Sequence, residues 1–264
     1  KYWFETLARV PVEIDIASEF RYRNPVMPEG GAALFISQSG ESLDTLMALR
    51  HAREAGQHIL ALVNQPESTI ARESDVVLQT LAGPEICVAS TKAFTTQLVA
   101  LLTMAVDFAR KRGTASDEDL NRVLDSLVHV PAQIGEVLKD MERWQPVCHE
   151  LSKARDVLYL GRGLSYPVAM EGALKLKELS YIHAEGYAAG ELKHGPIALL
   201  EEGLPVIMVA PMDPWFEKVA SNAMEVRARG GKVILLSDKT GTARLGDLAT
   251  WSFEMPECDP MVAP

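Results

Sequence analysis

The sequence predicts an α/β protein built from two doubly wound parallel-sheet subdomains related by internal duplication. Residues 31–64, GAALFISQSGESLDTLMALRHAREAGQHILALVN, read as strand, loop, helix, glycine, strand. Residues 203–238, GLPVIMVAPMDPWFEKVASNAMEVRARGGKVILLSD, repeat that order, with Gly56 matched to Gly231. The strands are short apolar runs with no polar interruption, as strands buried on both faces are. Helical-period stretches separate them, and strands alternating with helices pair in parallel through crossovers.

The elements follow in chain order. KYWFETLARV (1–10) has a helical pattern and matches the opening helix of the second half, without the strand and glycine turn that precede that helix there. The natural chain is therefore expected to begin further upstream, and MPECDPMVAP suggests that it also continues past residue 264. GPEICVASTKAF (83–94) carries a short apolar piece, Ile86 to Ala89, leading to Ser90 and Thr91 at a helix start. Ser90 reads there as an N-cap. STKAFTTQLVALLTMAVDFARKRG (90–113) is a long helix closed by a basic turn and a glycine. SDEDLNRVLDSLVHV (116–130) opens on Ser116 and three acids, a good cap and first turn. Pro131 is expected to break the pattern, which resumes in PAQIGEVLKDMERW (131–144) before the halves join near 145–150.

DVLYLG (156–161) is a strand that runs into a glycine turn and then a helix. That helix carries Glu171, Lys175 and Glu178 at i, i+4 and i+7, on one face. A loop then presents Lys193 and His194 before Gly195 and Pro196. Two carboxylates, an amine and an imidazole suit proton transfer on a carbonyl compound. A solvated face with weak ion pairs accounts for the helical charges equally simply. Against it stands the small, apolar remainder of the helix (Ala169, Gly172, Ala173, Leu174, Leu176), which suits a crowded interior.

ISQSGES (36–42) lies between a buried strand and a helix. Ser37, Ser39 and Ser42 offer hydroxyls, Gln38 an amide, and Gly40 a close backbone approach. Hydroxyls, free N–H groups and a positive helix end form an anion site. A serine-rich turn with one N-cap is the other reading. Its place at the carboxyl end of a sheet strand favours a ligand.

The net charge of −10 argues against broad nucleic-acid or anionic-membrane binding, and no apolar run reaches the ~20 residues of a membrane helix. The three widely separated cysteines point to reduced thiols and a cytoplasmic setting. GRGLSY lacks the last glycine of a dinucleotide fingerprint, His183-Ala184-Glu185 has no downstream P-C-x-x-C, and His149-Glu150 has no second histidine. No metal and no organic cofactor is expected.

ISQSGES-x-DT, VASTKAFTTQL, EGALKLKE and HAEGYAAGELKHGP together resemble the sugar isomerase (SIS) domains. More narrowly, they resemble the isomerase half of the glutamine–fructose-6-phosphate aminotransferases, the glucosamine-6-phosphate synthases. The likeness covers essentially the whole chain, and it divides it into SIS subdomains at 1–145 and 146–264. It implies conversion of fructose 6-phosphate plus ammonia to glucosamine 6-phosphate by ring opening, imine formation and proton transfer between C1 and C2. It also implies that Ser37, Gln38, Ser39 and Ser42 hold the phosphate and that Val88 and Ser90 line the sugar. Glu178 matches the base, Lys175 and Glu171 its charged neighbours, and His194 the ring-opening histidine, which the partner subunit contributes in a homodimer. A glutaminase domain supplies the ammonia in that family, and nothing in these residues resembles one. A stand-alone SIS deaminase or isomerase of amino-sugar phosphates is the alternative enzyme, which ELKHGP disfavours. A non-catalytic sugar-phosphate sensor is the alternative module, which Glu178, Lys175 and His194 disfavour.

Overall fold

Apolar runs become most of the sheet strands in this computed structural model, which describes residues 1–139 and 141–264. The chain forms two units, Lys1–Leu120 and Asn121–Pro264.

In the first unit, β1 (Ala32–Ser37), β2 (His58–Val63) and β3 (Val76–Gln79) form a parallel sheet in that order. Helix α1 (Ala17–Phe20) precedes it, α2 (Leu43–Glu54) connects β1 to β2, and α3 (Thr69–Arg72) connects β2 to β3. Leu46 and Leu49 of α2 and Ile70 of α3 pack on Phe35, Ile59 and Val63 of the sheet. Helix α4 (Lys92–Arg112) ends where the sequence places its stop. Gly113 is left-handed at φ 64°, after three basic residues. The opening segment forms a single wide π-turn, Phe4–Ala8, fastened to α4 by Arg112 Nε donating to the Ala8 carbonyl at 3.0 Å and by Phe4 set edge-on to Phe108.

Helix α5 (Asp117–Lys139) begins in the first unit and continues into the second. Ser116 caps it as expected, its hydroxyl accepting from the Asp119 amide at 3.1 Å. The expected break at Pro131 does not occur: the helix runs through it. Proline removes one ladder hydrogen bond, but its fixed φ is itself helical, and long flanks on both sides tolerate that local loss. Asp140, in the expected 131–144 helix, lies outside the described residues.

The second unit holds α6 (Gln145–Leu151), α7 (Ser165–Ser180), α8 (Phe216–Ala228) and α9 (Lys239–Leu245) around five parallel strands. These are β4 (Asp156–Gly161), β5 (His183–Ala188), β6 (Pro205–Val209), β7 (Lys232–Ser237) and β8 (Trp251–Glu254), in the order β5-β4-β6-β7-β8. The winding reverses at β4, whose neighbours are β5 and β6. Both faces are covered. Leu158, Leu160, Val206, Met208 and Leu235 face α8, while Val157, Tyr159, Ile207 and Ile234 face the other way with Ala169 and Ala173 of α7. That double burial is why these strands carry no polar alternation.

The duplication is present as β1-α2-β2 and β6-α8-β7. One residue match changes. Gly56 lies two positions before β2 at φ 76°, and its counterpart two positions before β7 is Gly230, at φ 82°, rather than Gly231. Gly231 serves packing instead: a β-carbon there would stand 2.6 Å from Val226 Cγ1.

Candidate functional site

The residues expected to form a site fall into two groups of side chains, one in each unit. In the first unit, the serine loop leaves the carboxyl end of β1 and enters α2. Ser37 is buried, and its Oγ accepts from the Gly40 amide at 3.0 Å. Ser39 Oγ accepts from the Glu41 amide at 3.2 Å. The loop amides expected to face a ligand are therefore partly taken by the loop's own serines. A hydroxyl that accepts still has its proton to donate, so Ser37 and Ser39 remain donors toward an anion. Ser42 lies 3.4 Å from Ser37, oxygen to oxygen, and makes no cap hydrogen bond on α2. This removes the N-cap reading of the loop and leaves the positive start of α2 open. The Gln38 side chain is half-buried beside them.

The loop is braced from α3. Gly40 sits at φ 66°, its carbonyl accepts from the Ile70 amide at 3.0 Å, and Glu41 Oε1 accepts from the Thr69 amide at 2.7 Å. That bond holds the Glu41 carboxyl below its ordinary range and turns its charge toward α3.

Val88 and Ser90 lie in irregular backbone before α4, with Val88 almost fully exposed. Ser90 is not the cap: the cap position is Thr91, and no cap-residue side chain bonds the helix. Glu85 does so from six residues away, its Oε2 accepting from the Thr91 amide at 3.3 Å and the Ala93 amide at 3.1 Å.

In the second unit, Glu171, Lys175 and Glu178 meet on one face of α7 as their spacing requires. Lys175 Nζ is 3.2 Å from Glu171 Oε1 and 2.6 Å from Glu178 Oε2. The side chains are 23%, 23% and 31% exposed in chain order, so this is not a freely solvated ion-pair face. Burial works against the ammonium, yet its hydrogen bonds to Glu178 and Glu171 raise the Lys175 pKa above the ordinary lysine value. Lys175 is thus a fixed positive charge between two carboxylates at neutral pH.

Small residues bring α7 this close to the sheet. A β-carbon on Gly186 of β5 would stand 2.6 Å from the Met170 Cα, and one on Gly172 would stand 2.8 Å from the Tyr159 ring. Burial pushes the Tyr159 phenol up to about 12.

The segment after β5 is a 3-10 turn, Ala189–His194, rather than a loop. Lys193 is paired with Glu225 at 2.8 Å and does not join the α7 cluster. His194 is exposed, and among the described residues its imidazole makes no hydrogen bond or ion pair with Glu171, Lys175 or Glu178. The four groups expected to converge are therefore three that meet and one that stands apart within the unit. Arg162, at the end of β4, was not singled out from the sequence. Its Nε is buried without a hydrogen-bond partner, and a β-carbon on Gly190 would lie 2.5 Å from its Nη2.

The SIS domain family model matches residues 1–107 and 150–257. The chain belongs to the SIS domain family. Among SIS proteins, it is 55% identical over 264 residues to a glutamine–fructose-6-phosphate aminotransferase (isomerizing) of Zymomonas mobilis, covering 100% of this chain and 44% of that one. It is 59% identical over 241 residues to the enzyme of the same name from Bradyrhizobium diazoefficiens, covering 91% of this chain and 40% of that one. This SIS chain thus spans less than half the length of those curated relatives. The solved C-terminal domain of glucosamine-fructose-6-phosphate aminotransferase from Francisella tularensis superposes on it with a TM-score of 0.96 at 43% identity, over 100% of this chain and 75% of that one.

Proposed function

We propose that this chain is the sugar isomerase part of a glutamine–fructose-6-phosphate aminotransferase, acting on fructose 6-phosphate and ammonia to give glucosamine 6-phosphate. The observation that carries the reading is Lys175 held between Glu171 and Glu178 on a partly buried helix face, in a chain so similar to those aminotransferases.

The roles are those the resemblance to the aminotransferases implies, and the residue types fit them. Ser37, Gln38, Ser39 and Ser42 donate to the sugar phosphate at the open start of α2. Val88 and Ser90 line the sugar. His194 opens the ring, an imidazole being able to take and return a proton near neutral pH. Its exposure, and the absence among the described residues of a hydrogen bond or ion pair to the α7 cluster, suit a group given to the partner subunit of a homodimer. Ammonia forms an imine at C2, and Glu178 takes a proton from C1 and returns it at C2. Lys175 and Glu171 hold that carboxylate in place. No step calls on a metal or an organic cofactor. A glutaminase domain in the full-length protein supplies the ammonia. The SIS subdomains are assigned to 1–145 and 146–264. A cytoplasmic setting fits the three free cysteines; among the described residues no helix is long and apolar enough to cross a membrane.

The test is conversion of fructose 6-phosphate to glucose 6-phosphate, followed by coupled oxidation, in the full-length protein. Glu178→Gln is expected to abolish the conversion while the fold survives. Full activity in that variant would overturn the assignment.

A further inference from the structure

We propose that Glu85 is a positioning residue for the sugar-phosphate site assigned above, a reading on which this inference rests: its carboxylate fastens residues 86–90 so that Val88 and Ser90 are presented to the sugar. The segment is tied at both ends. At its start, the buried Asn64 donates from Nδ2 to the Gly83 carbonyl at 2.8 Å, and its Oδ1 accepts from the Ala82 amide at 2.9 Å. At its end, Glu85 Oε2 accepts from the Thr91 and Ala93 amides. Between these ties Ala89 is wholly buried, while Ile86 and Val88 are 91% and 92% exposed. An apolar tip is thus held out by an anchored base, and neither Ser90 nor Thr91 supplies the cap that would otherwise organise it.

Charge makes the tie selective. A carboxylate at a helix start is favoured over a neutral acceptor by the helix dipole. Backbone donation from Ala93, Thr91 and Cys87 holds the Glu85 carboxyl below the ordinary range. The same device recurs in this unit at the start of α3, where Glu41 accepts from the Thr69 amide. Helix α2, beside Ser37–Ser42, has no such cap bond.

Two measurements test this on wild type, Glu85→Ala and Glu85→Gln: amide hydrogen exchange across 86–93, and calorimetric binding of fructose 6-phosphate with Ser37→Ala as the loop control. In Glu85→Ala the Thr91 and Ala93 amides are expected to exchange faster, and affinity to fall about tenfold, the equivalent of one charge-assisted hydrogen bond. Glu85→Gln keeps an accepting oxygen and is expected to recover part of both. Unchanged exchange in Glu85→Ala, or unchanged affinity where the wild type binds, overturns the proposal. A wild type that binds no fructose 6-phosphate, with exchange still raised in Glu85→Ala, overturns the sugar-phosphate reading and leaves the fastening by Glu85 supported.

Discussion

Gly40 and Ser68 meet across the base of the serine loop: a β-carbon on residue 40 would lie 1.9 Å from the Ser68 hydroxyl oxygen. Gly40 is also left-handed, at φ 66°. Ser68 cannot simply turn aside, because its hydroxyl caps α3 by accepting from the Ala71 amide. Gly40→Ala therefore combines backbone strain with overpacking, about 2–4 kcal/mol in sum. Denaturant unfolding measures it. Adding Ser68→Gly should give less than the sum of the two single losses, because it clears the space the new methyl needs.

Lys175→Met leaves the Glu171 and Glu178 carboxylates facing each other without their shared ammonium. A drop of more than about 100-fold in the isomerisation assay is expected, the scale of general acid–base assistance. The stability side has a fixed sign. The folded-state pKa of Lys175 is raised, so its contribution is full below the unfolded lysine value near 10.4 and is lost as pH climbs through the higher folded value. The stability gap between variant and wild type should therefore narrow in strong alkali. A gap that stays constant there would count against the ion triad.

Acid acts on other pairs. Arg50 grips Glu73 with two hydrogen bonds, 2.9 and 2.6 Å, and this holds the Glu73 carboxyl below its ordinary value. A depressed carboxyl stabilises the fold above its unfolded pKa, near 4.3, and that contribution disappears as pH falls through the folded value. Glu73→Gln should flatten the acid limb of a stability profile measured from pH ~6 to ~3. An unchanged slope would assign the acid sensitivity elsewhere.

Tyr187 donates its phenol proton to Glu185 on the same face of β5, and that bond, with burial second, pushes its pKa up to about 12. Tyr159 reaches about 12 through burial alone. An alkaline absorbance titration should therefore show two late phenols among the six tyrosines. Glu185→Gln is expected to bring Tyr187 back toward 10 and to leave Tyr159 where it is. Movement of both phenols together would mean that the unit had loosened, not that one bond had been lost.

The α7 cluster was legible in the sequence because helical spacing alone sets which side chains share a face, and 171, 175 and 178 satisfy it whatever packs around them. The apolar strands β1, β2, β4, β6 and β7 were legible for a similar reason, since burial on both faces removes polar residues. Strand β5 was not: HAEGYA lies at the rim of its sheet, where polar side chains are tolerated, and it reads as part of a loop. The match at Gly56 slipped by one residue because Gly230 and Gly231 are chemically alike and only the backbone angle tells them apart. Pro131 was misread because one lost bond weighs little in a helix that has formed on both sides of it. Glu85 and Asn64 act across irregular backbone, where no period links a side chain to the amide it binds. Six residues from Thr91, an acid is simply one of many.

In the three-stranded sheet, β3 pairs only with β2 among the described residues. Val76 and Val77 of that strand stand 51% and 41% exposed. An unsatisfied rim of this kind is a template for strand addition between molecules. In dilute buffer the surplus of negative charge keeps copies apart, but concentrated salt screens it within a few ångströms. Storage of this polypeptide is then a contest between ionic strength and turbidity, and a lysine set into β3 would be the simplest preservative.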